Sequence, residues 1–206
     1  METAIYDREA LIDVGHPPLV VQLHPVIELS DDQFFDFCQA NRDLRIERSA
    51  REEVLLMPPT GGDTSELNAE ITMQLRLWAK RDGSGTTFDS SGGFLLPNRA
   101  VRSPDAAWLK KERLAGLSAE QKRRFIPLCP DFVIELRSPS DSLNALQDKM
   151  CEYIDNGVQL GWLIDLAYKR VYIYRPQTPV EELQDPQTVS DDLVLPGFAL
   201  NLRGAW

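Results

Sequence analysis

Two acidic residues stand where the hydrophobic pattern leaves little room for charge. Glu135 interrupts Phe132-Val133-Ile134-Glu135-Leu136-Arg137, a run that otherwise reads as a buried strand, and Asp105 opens a second apolar strand, Asp105-Ala106-Ala107-Trp108-Leu109. An unpaired carboxylate inside a core is costly, so each needs a compensating cation or ion. Alternate residues of a strand share a face, which puts Glu135 and Arg137 on one side. That pair reads as an ion pair or as a metal ligand beside a stabilising cation. Asp105 has no neighbouring cation on its own face. Adjacent strands lie about 4.8 Å apart, so the two carboxylates could reach one shared ion. Hard oxygen donors of this kind suit magnesium or manganese. An ion so held can activate water and stabilise charge on a phosphate under attack.

The elements that would position these residues follow from periodicity. Ser30-Asp31-Asp32 reads as a helix N-cap before Phe34, Phe35, Phe37 and Cys38. Leu44-Arg45-Ile46-Glu47-Arg48 alternates as a strand, and Val54-Leu55-Leu56-Met57 is a compact apolar strand, so the two form a hairpin. Pro58-Pro59-Thr60-Gly61-Gly62 is a loop. A long helix then starts at Asp63, with Asp63 and Glu66 as a capping box and Leu67, Ile71, Leu75 and Trp78 as its apolar stripe. Short strands are expected near Thr86–Asp89, Phe94–Leu96 and Asp105–Leu109, and a short helix over Ser118–Arg124. After the Phe132–Arg137 strand comes the turn Ser138-Pro139-Ser140-Asp141. A helix bearing Leu143, Leu146, Met150 and Tyr153 follows and stops at Asn156-Gly157. Leu160–Asp165 is the next strand, which makes a parallel crossover unit, and Arg170–Tyr174 returns as its hairpin partner. Leu193-Val194-Leu195 reads as an edge strand. The whole is an α/β domain with a mixed central sheet flanked by helices.

Residues 1–29, with His16-Pro17-Pro18 and His24-Pro25, read as an N-terminal arm. Residues 30–176 form the domain, and 177–206 form a C-terminal extension packing on it. The chain of 206 residues, 43% hydrophobic and 26% charged, has the balance of a soluble globular protein. It has no membrane-length apolar run and an acidic start unlike a signal peptide, so a cytoplasmic location is expected. Cys38, Cys129 and Cys151 are scattered and odd in number, which excludes a zinc knuckle or disulfide framework. The two histidines offer no nucleophilic triad, and no glycine-rich nucleotide loop occurs. The net charge of −10 opposes nonspecific nucleic-acid binding, although bound metal cancels local carboxylates. Trp78 and Trp162 read as core, Tyr153, Tyr172 and Tyr174 as packing, and Lys122-Arg123-Arg124 as a solvated basic run.

Asp105 followed about thirty residues later by Glu135-Leu136-Arg137 and a helix resembles the signature of the PD-(D/E)XK nucleases. More narrowly, the chain resembles the restriction-endonuclease family named Uma-two over roughly residues 30–176. The segments that carry this are Met57-Pro58-Pro59-Thr60-Gly61-Gly62, Ser103-Pro104-Asp105, Pro130-Asp131-Phe132-Val133-Ile134-Glu135, Ser138-Pro139-Ser140-Asp141, Lys149 with Tyr153, and Gly157 through Trp162-Leu163-Ile164-Asp165. The resemblance implies a restriction-endonuclease-like fold in which Asp105 and Glu135 hold Mg2+ or Mn2+. It also implies a third acid from the long helix, where Glu70 is the leading candidate because Asp63 and Glu66 are occupied as caps. The signature's lysine is replaced by Arg137, which stabilises charge but is a poor proton shuttle. Lys149 could migrate into that role, or could be a surface lysine beside Asp148 and Glu152. The implied activity is metal-dependent cleavage of DNA, by a homodimer since two-fold symmetry suits a duplex. The alternative is a degenerate nuclease fold kept as a DNA- or protein-binding module.

Overall fold

A computed structural model describes residues 18–205. His16 and the rest of the expected N-terminal arm before Pro18 lie outside the described residues. From Pro18 on, the arm's residues Leu19–Gln22 form strand β1, which pairs antiparallel with β3 (Glu53–Met57). β3 is also the second strand of the expected hairpin, whose first is β2 (Arg45–Arg48). With β6 (Val101–Arg102) and β5 (Phe94–Leu95) they make a five-stranded sheet in the order β1-β3-β2-β6-β5. Helix α1 (Asp31–Ala40) covers it through Phe34, and Ser30 and Gln33 form a complete capping box at its start.

The larger sheet carries the crossover unit. Its order is β11 (Glu181–Gln184), β10 (Arg170–Tyr174), β9 (Leu160–Asp165), β8 (Phe132–Arg137), β7 (Ala106–Lys110) and β4 (Gly85–Asp89). β8 and β9 run parallel with α4 (Leu143–Asp155) between them, and the other pairs are antiparallel. One face packs against the long helix α2 (Gly62–Asp82): Leu67, Ile71, Leu75 and Trp78 meet Trp108, Phe132 and Trp162. Phe198, Leu200 and Leu202, around strand β13 (Ala199–Asn201), close that core, and β13 pairs with β12 (Thr188–Ser190). The other face packs against α4 through Met150 and Tyr153 on Val133 and Leu163. Among the described residues, no helix is long and apolar enough to cross a membrane.

Several local expectations change. α2 begins at Gly62 with Gly61 as N-cap and no side-chain cap bond, so Asp63 and Glu66 do not form a capping box. The Ser118 box forms, yet it holds only a 3-10 turn over Gln121–Arg123. The short helix is instead α3 (Lys111–Ala115). Leu193–Leu195 is a turn: the Asp191 carboxylate accepts the Leu193 and Val194 N–H groups, which a strand would have used in its ladder.

Candidate active site

The two sheets meet beside the C-terminal half of β8, and the acids of the sequence argument converge there. Asp105, just before β7, receives the Leu136 backbone N–H on Oδ2 at 2.9 Å, which fixes its carboxylate against β8 one residue past Glu135. Its Oδ1 receives Arg45 Nη2 at 3.2 Å and Asn68 Nδ2 at 3.3 Å. The cation that Asp105 lacks on its own strand therefore comes from β2. Glu135, 3% exposed, receives the Tyr153 hydroxyl at 2.9 Å and the Lys149 ammonium at 2.8 Å, both on Oε1. Lys149 and Tyr153 are four residues apart on α4, one turn along the same face, so a single helix delivers both donors.

Lys149 is buried and bridges two acids. Its second partner is Glu47 Oε1 at 3.0 Å, on β2 of the other sheet. Glu47 is fully buried and also receives the Ser103 N–H at 3.0 Å and Arg102 Nη1 at 3.2 Å. Arg102 in turn donates from Nε to Glu152 Oε2 at 2.6 Å, and Asn98 holds the other oxygen of Glu152 at 3.0 Å. The surface reading of Lys149 fails because Glu152, one turn-neighbour, is engaged with Arg102. The deeper acids then face the ammonium. Tyr153 likewise does more than pack.

Arg45, Glu47, Arg102, Asp105, Glu135, Lys149 and Glu152 line a cavity of about 400 Å3, to which Leu55, Met57, Pro58, Pro59 and Leu146 contribute apolar surface. Within the linked ion pairs, four carboxylates (Glu47, Asp105, Glu135, Glu152) meet three cations (Arg45, Arg102, Lys149). The imbalance falls on Glu135. Burial raises its carboxyl, Lys149 only partly offsets that, and Asp105 and Glu47 add to it, so the group is pushed up to about 7. Burial acts the same way on Glu47, but Lys149 and Arg102 outweigh it and hold that carboxyl below its ordinary value. For Lys149, burial is outweighed by Glu135 and Glu47, and the ammonium is held above its usual range.

The sequence profile of the family described as Uma2, putative restriction endonuclease, matches residues 31–203. The chain belongs to the Uma2 family. No curated protein matches it. Among solved structures, a protein from Anabaena variabilis described as a putative nuclease belonging to DUF820 matches with a TM-score of 0.68 at 20% identity, over 86% of this chain and 97% of that one. At that identity the likeness speaks to the fold: the order of elements leads to an α/β domain with a mixed sheet, and the family resemblance to its nuclease-like form.

Two expected residues of this Uma2 protein sit elsewhere. Arg137 shares the face of Glu135 but turns to the neighbouring strand. It donates to Asp165 Oδ2 at 2.8 Å and to the Asp141 carbonyl at 3.1 Å, and it lies over the Tyr168 ring. It does not line the cavity. Glu70 is exposed on α2 and accepts from Gln74 Nε2 at 2.9 Å, because its position points away from the inner helix face. The residue that α2 does send to the site is Asn68. The additional buried acid is Glu47, on β2. Nothing in Leu44-Arg45-Ile46-Glu47-Arg48 separates Glu47 from a solvent-facing strand residue. Helix α4 is held in place by its lead-in turn, where the Asp141 carboxylate accepts the Ser138 N–H at 2.8 Å and its hydroxyl at 2.6 Å, and Ser142 caps the first turn.

Among the described residues, no group of three or more His, Cys, Asp or Glu side chains is arranged to hold a metal ion, because ammonium and guanidinium groups are interleaved with the acids. Asp105 and Glu135 nevertheless fit a hard divalent cation in kind. Both are oxygen donors on one cavity, and Glu135 stands in an excess of negative charge that its lysine leaves uncancelled.

Proposed function

We propose that this Uma2 protein is a divalent-metal-dependent nuclease that hydrolyses DNA phosphodiester bonds at the cavity between its two sheets. The observation that carries the reading is the position of Lys149. The signature expects a lysine two residues after Glu135, where this chain has Arg137. Helix α4 sets an ammonium 2.8 Å from the Glu135 carboxylate instead. The charge that Arg137 directs to Asp165 is thus supplied to Glu135 from the helix.

In this reading Asp105 and Glu135 hold the ion, which when bound supplies Lewis acidity toward a phosphate oxygen and acidifies water. Tyr153 orients the Glu135 carboxylate by donating to Oε1. Lys149 presents a fixed positive charge where negative charge builds on the phosphate. Glu47, backed by Arg102 and Glu152, keeps that ammonium charged and in place. Cutting both strands of a duplex would take two copies related by a two-fold axis, which sedimentation in the presence of duplex would detect.

The test is cleavage of single- and double-stranded DNA with Mg2+ or Mn2+. Asp105→Asn, Glu135→Gln and Lys149→Met should each lose a hundredfold or more, on the order of what one preorganised charge contributes. Arg137→Lys should stay within a few-fold of wild type. A wild-type protein that cuts no DNA with either metal would remove the catalytic part of the reading.

A second reading, a nuclease fold retained for binding, is favoured by one observation: both oxygens of Asp105 are already engaged by Arg45, Asn68 and the Leu136 N–H. DNA binding that is indifferent to Mg2+ and unchanged in Asp105→Asn would select it.

A further inference from the structure

Arg45 is the one cation of the site held by a single acid of the pairings above. Its Nη2 donates to Asp105 Oδ1 at 3.2 Å and to the Ser103 carbonyl at 3.0 Å. Asp105 is the acid it touches, and Glu135 and Glu47 act on it through space, so that together they outweigh burial and hold the guanidinium above its usual range. It therefore stands in the negative field that a metal ion held by Asp105 and Glu135 would have to enter. Its Nε–H is buried with no hydrogen-bond acceptor, a donor left unused in the present arrangement. The side chain is still 31% exposed, lines the cavity and springs from the first residue of β2, so it has room to turn.

We infer that Arg45 is an exchangeable counter-ion: it occupies Asp105 in the resting protein and transfers to a phosphate of the substrate when the divalent ion binds. This rests on the metal-dependent nuclease reading and assigns the phosphate contact within it. A guanidinium presents paired N–H donors that match two phosphate oxygens, including the Nε–H that now lacks an acceptor. Moving it from carboxylate to phosphate leaves Oδ1 with the neutral Asn68 amide as its remaining donor and replaces one ion pair by another with no net change in charge pairing. The exchange makes the two ligands cooperative. A phosphodiester draws Arg45 off Asp105 and so strengthens ion binding, and the ion by linkage strengthens phosphodiester binding to the same degree.

The experiment measures Mn2+ binding by electron paramagnetic resonance, with and without a DNA dinucleotide whose bridging phosphate is a non-cleavable methylphosphonate or an ordinary phosphodiester at 4 °C. Wild type should bind Mn2+ weakly alone and at least fivefold more tightly with the charged phosphodiester, with no gain from the uncharged methylphosphonate. Arg45→Met should bind Mn2+ tightly without any dinucleotide and gain less than twofold from adding it. Arg45→Lys, which keeps the charge, should restore the weak resting affinity and rules out misfolding as the cause. Equal Mn2+ affinity in wild type and Arg45→Met, or a full phosphodiester gain in Arg45→Met, overturns the exchange and leaves the nuclease reading standing. Failure of every variant to bind Mn2+ overturns both.

Discussion

The two faces of the six-stranded sheet solve opposite problems with the same strands. Toward α2, Trp78, Trp108, Phe132, Trp162 and Phe198 pack ring against ring, with centroid separations of 4.9 to 5.9 Å and no charged group among them. Toward α4, the apolar layer of Met150, Val133 and Leu163 ends at Glu135, and beyond it lies the network of Glu47, Arg102, Lys149 and Tyr153. The first face is held by area removed from water. The second adds to a buried apolar layer a set of charges that hold only while each keeps its partner, since a buried ion pair repays its desolvation poorly and a broken one costs more. The sheet is thus built stable on one side so that the other can hold a strained set of charges.

The largest expected effect is on the apolar face. Trp162→Ala should cost about 3–5 kcal/mol in denaturant unfolding, through lost burial and the cavity left among Phe132 and Phe198. A loss under about 1 kcal/mol would mean that this layer is not the main support. On the ionic face, Lys149→Met should be comparably damaging, about 3 kcal/mol, because it strands Glu47 and Glu135 together. Adding Glu47→Gln and Glu135→Gln to it should recover most of that loss. A triple variant no better than Lys149→Met would break the comparison.

The strands of both faces are legible in sequence for the reason that makes them stable. Phe132–Arg137, Leu160–Asp165 and Arg170–Tyr174 are short apolar runs closed by turn residues, and the α2 stripe keeps helical spacing. Asp105 and Glu135 are legible because charge in such runs demands a reason. The rest of the site is not. Glu47 and Lys149 lie 102 residues apart and Glu47 and Arg102 lie 55 apart, on segments whose own patterns look solvated. Only the packing of one sheet against the other turns those side chains inward. Glu70 misleads for the converse reason: a shared helical face with Asp63 and Glu66 is visible, but which face meets the sheet depends on the apolar stripe opposite.

A smaller effect concerns pH. Glu135 titrates from about 7 in the folded protein against an ordinary 4.5, so the folded state keeps its proton longer than the unfolded chain. Stability from this group is therefore highest below pH 4.5 and falls as pH rises to about 7. Thermal melts should show wild type losing ground to Glu135→Gln across that interval and running parallel to it above. A gap that stays constant would mean that Lys149 fully compensates Glu135, and one that moves the other way that Lys149 over-compensates it. The smallest effect belongs to the exposed helix face: Glu70→Ala should shift unfolding by no more than about 0.5 kcal/mol and leave cleavage unchanged.

The turn from Ser138 to Ser142 sets the rotational phase of the site. An α-helix advances about 100° per residue, so the position at which α4 starts decides which side chain looks at Glu135. Asp141 locks the lead-in through two contacts to Ser138, and Lys149 and Tyr153 then arrive in step on one generatrix of the helix. One residue inserted in this turn would rotate the ammonium a quarter-turn away while every strand stayed in place. The chemistry of the cavity is in this sense indexed by the length of a five-residue connection, much as a key's cut is indexed by its shoulder.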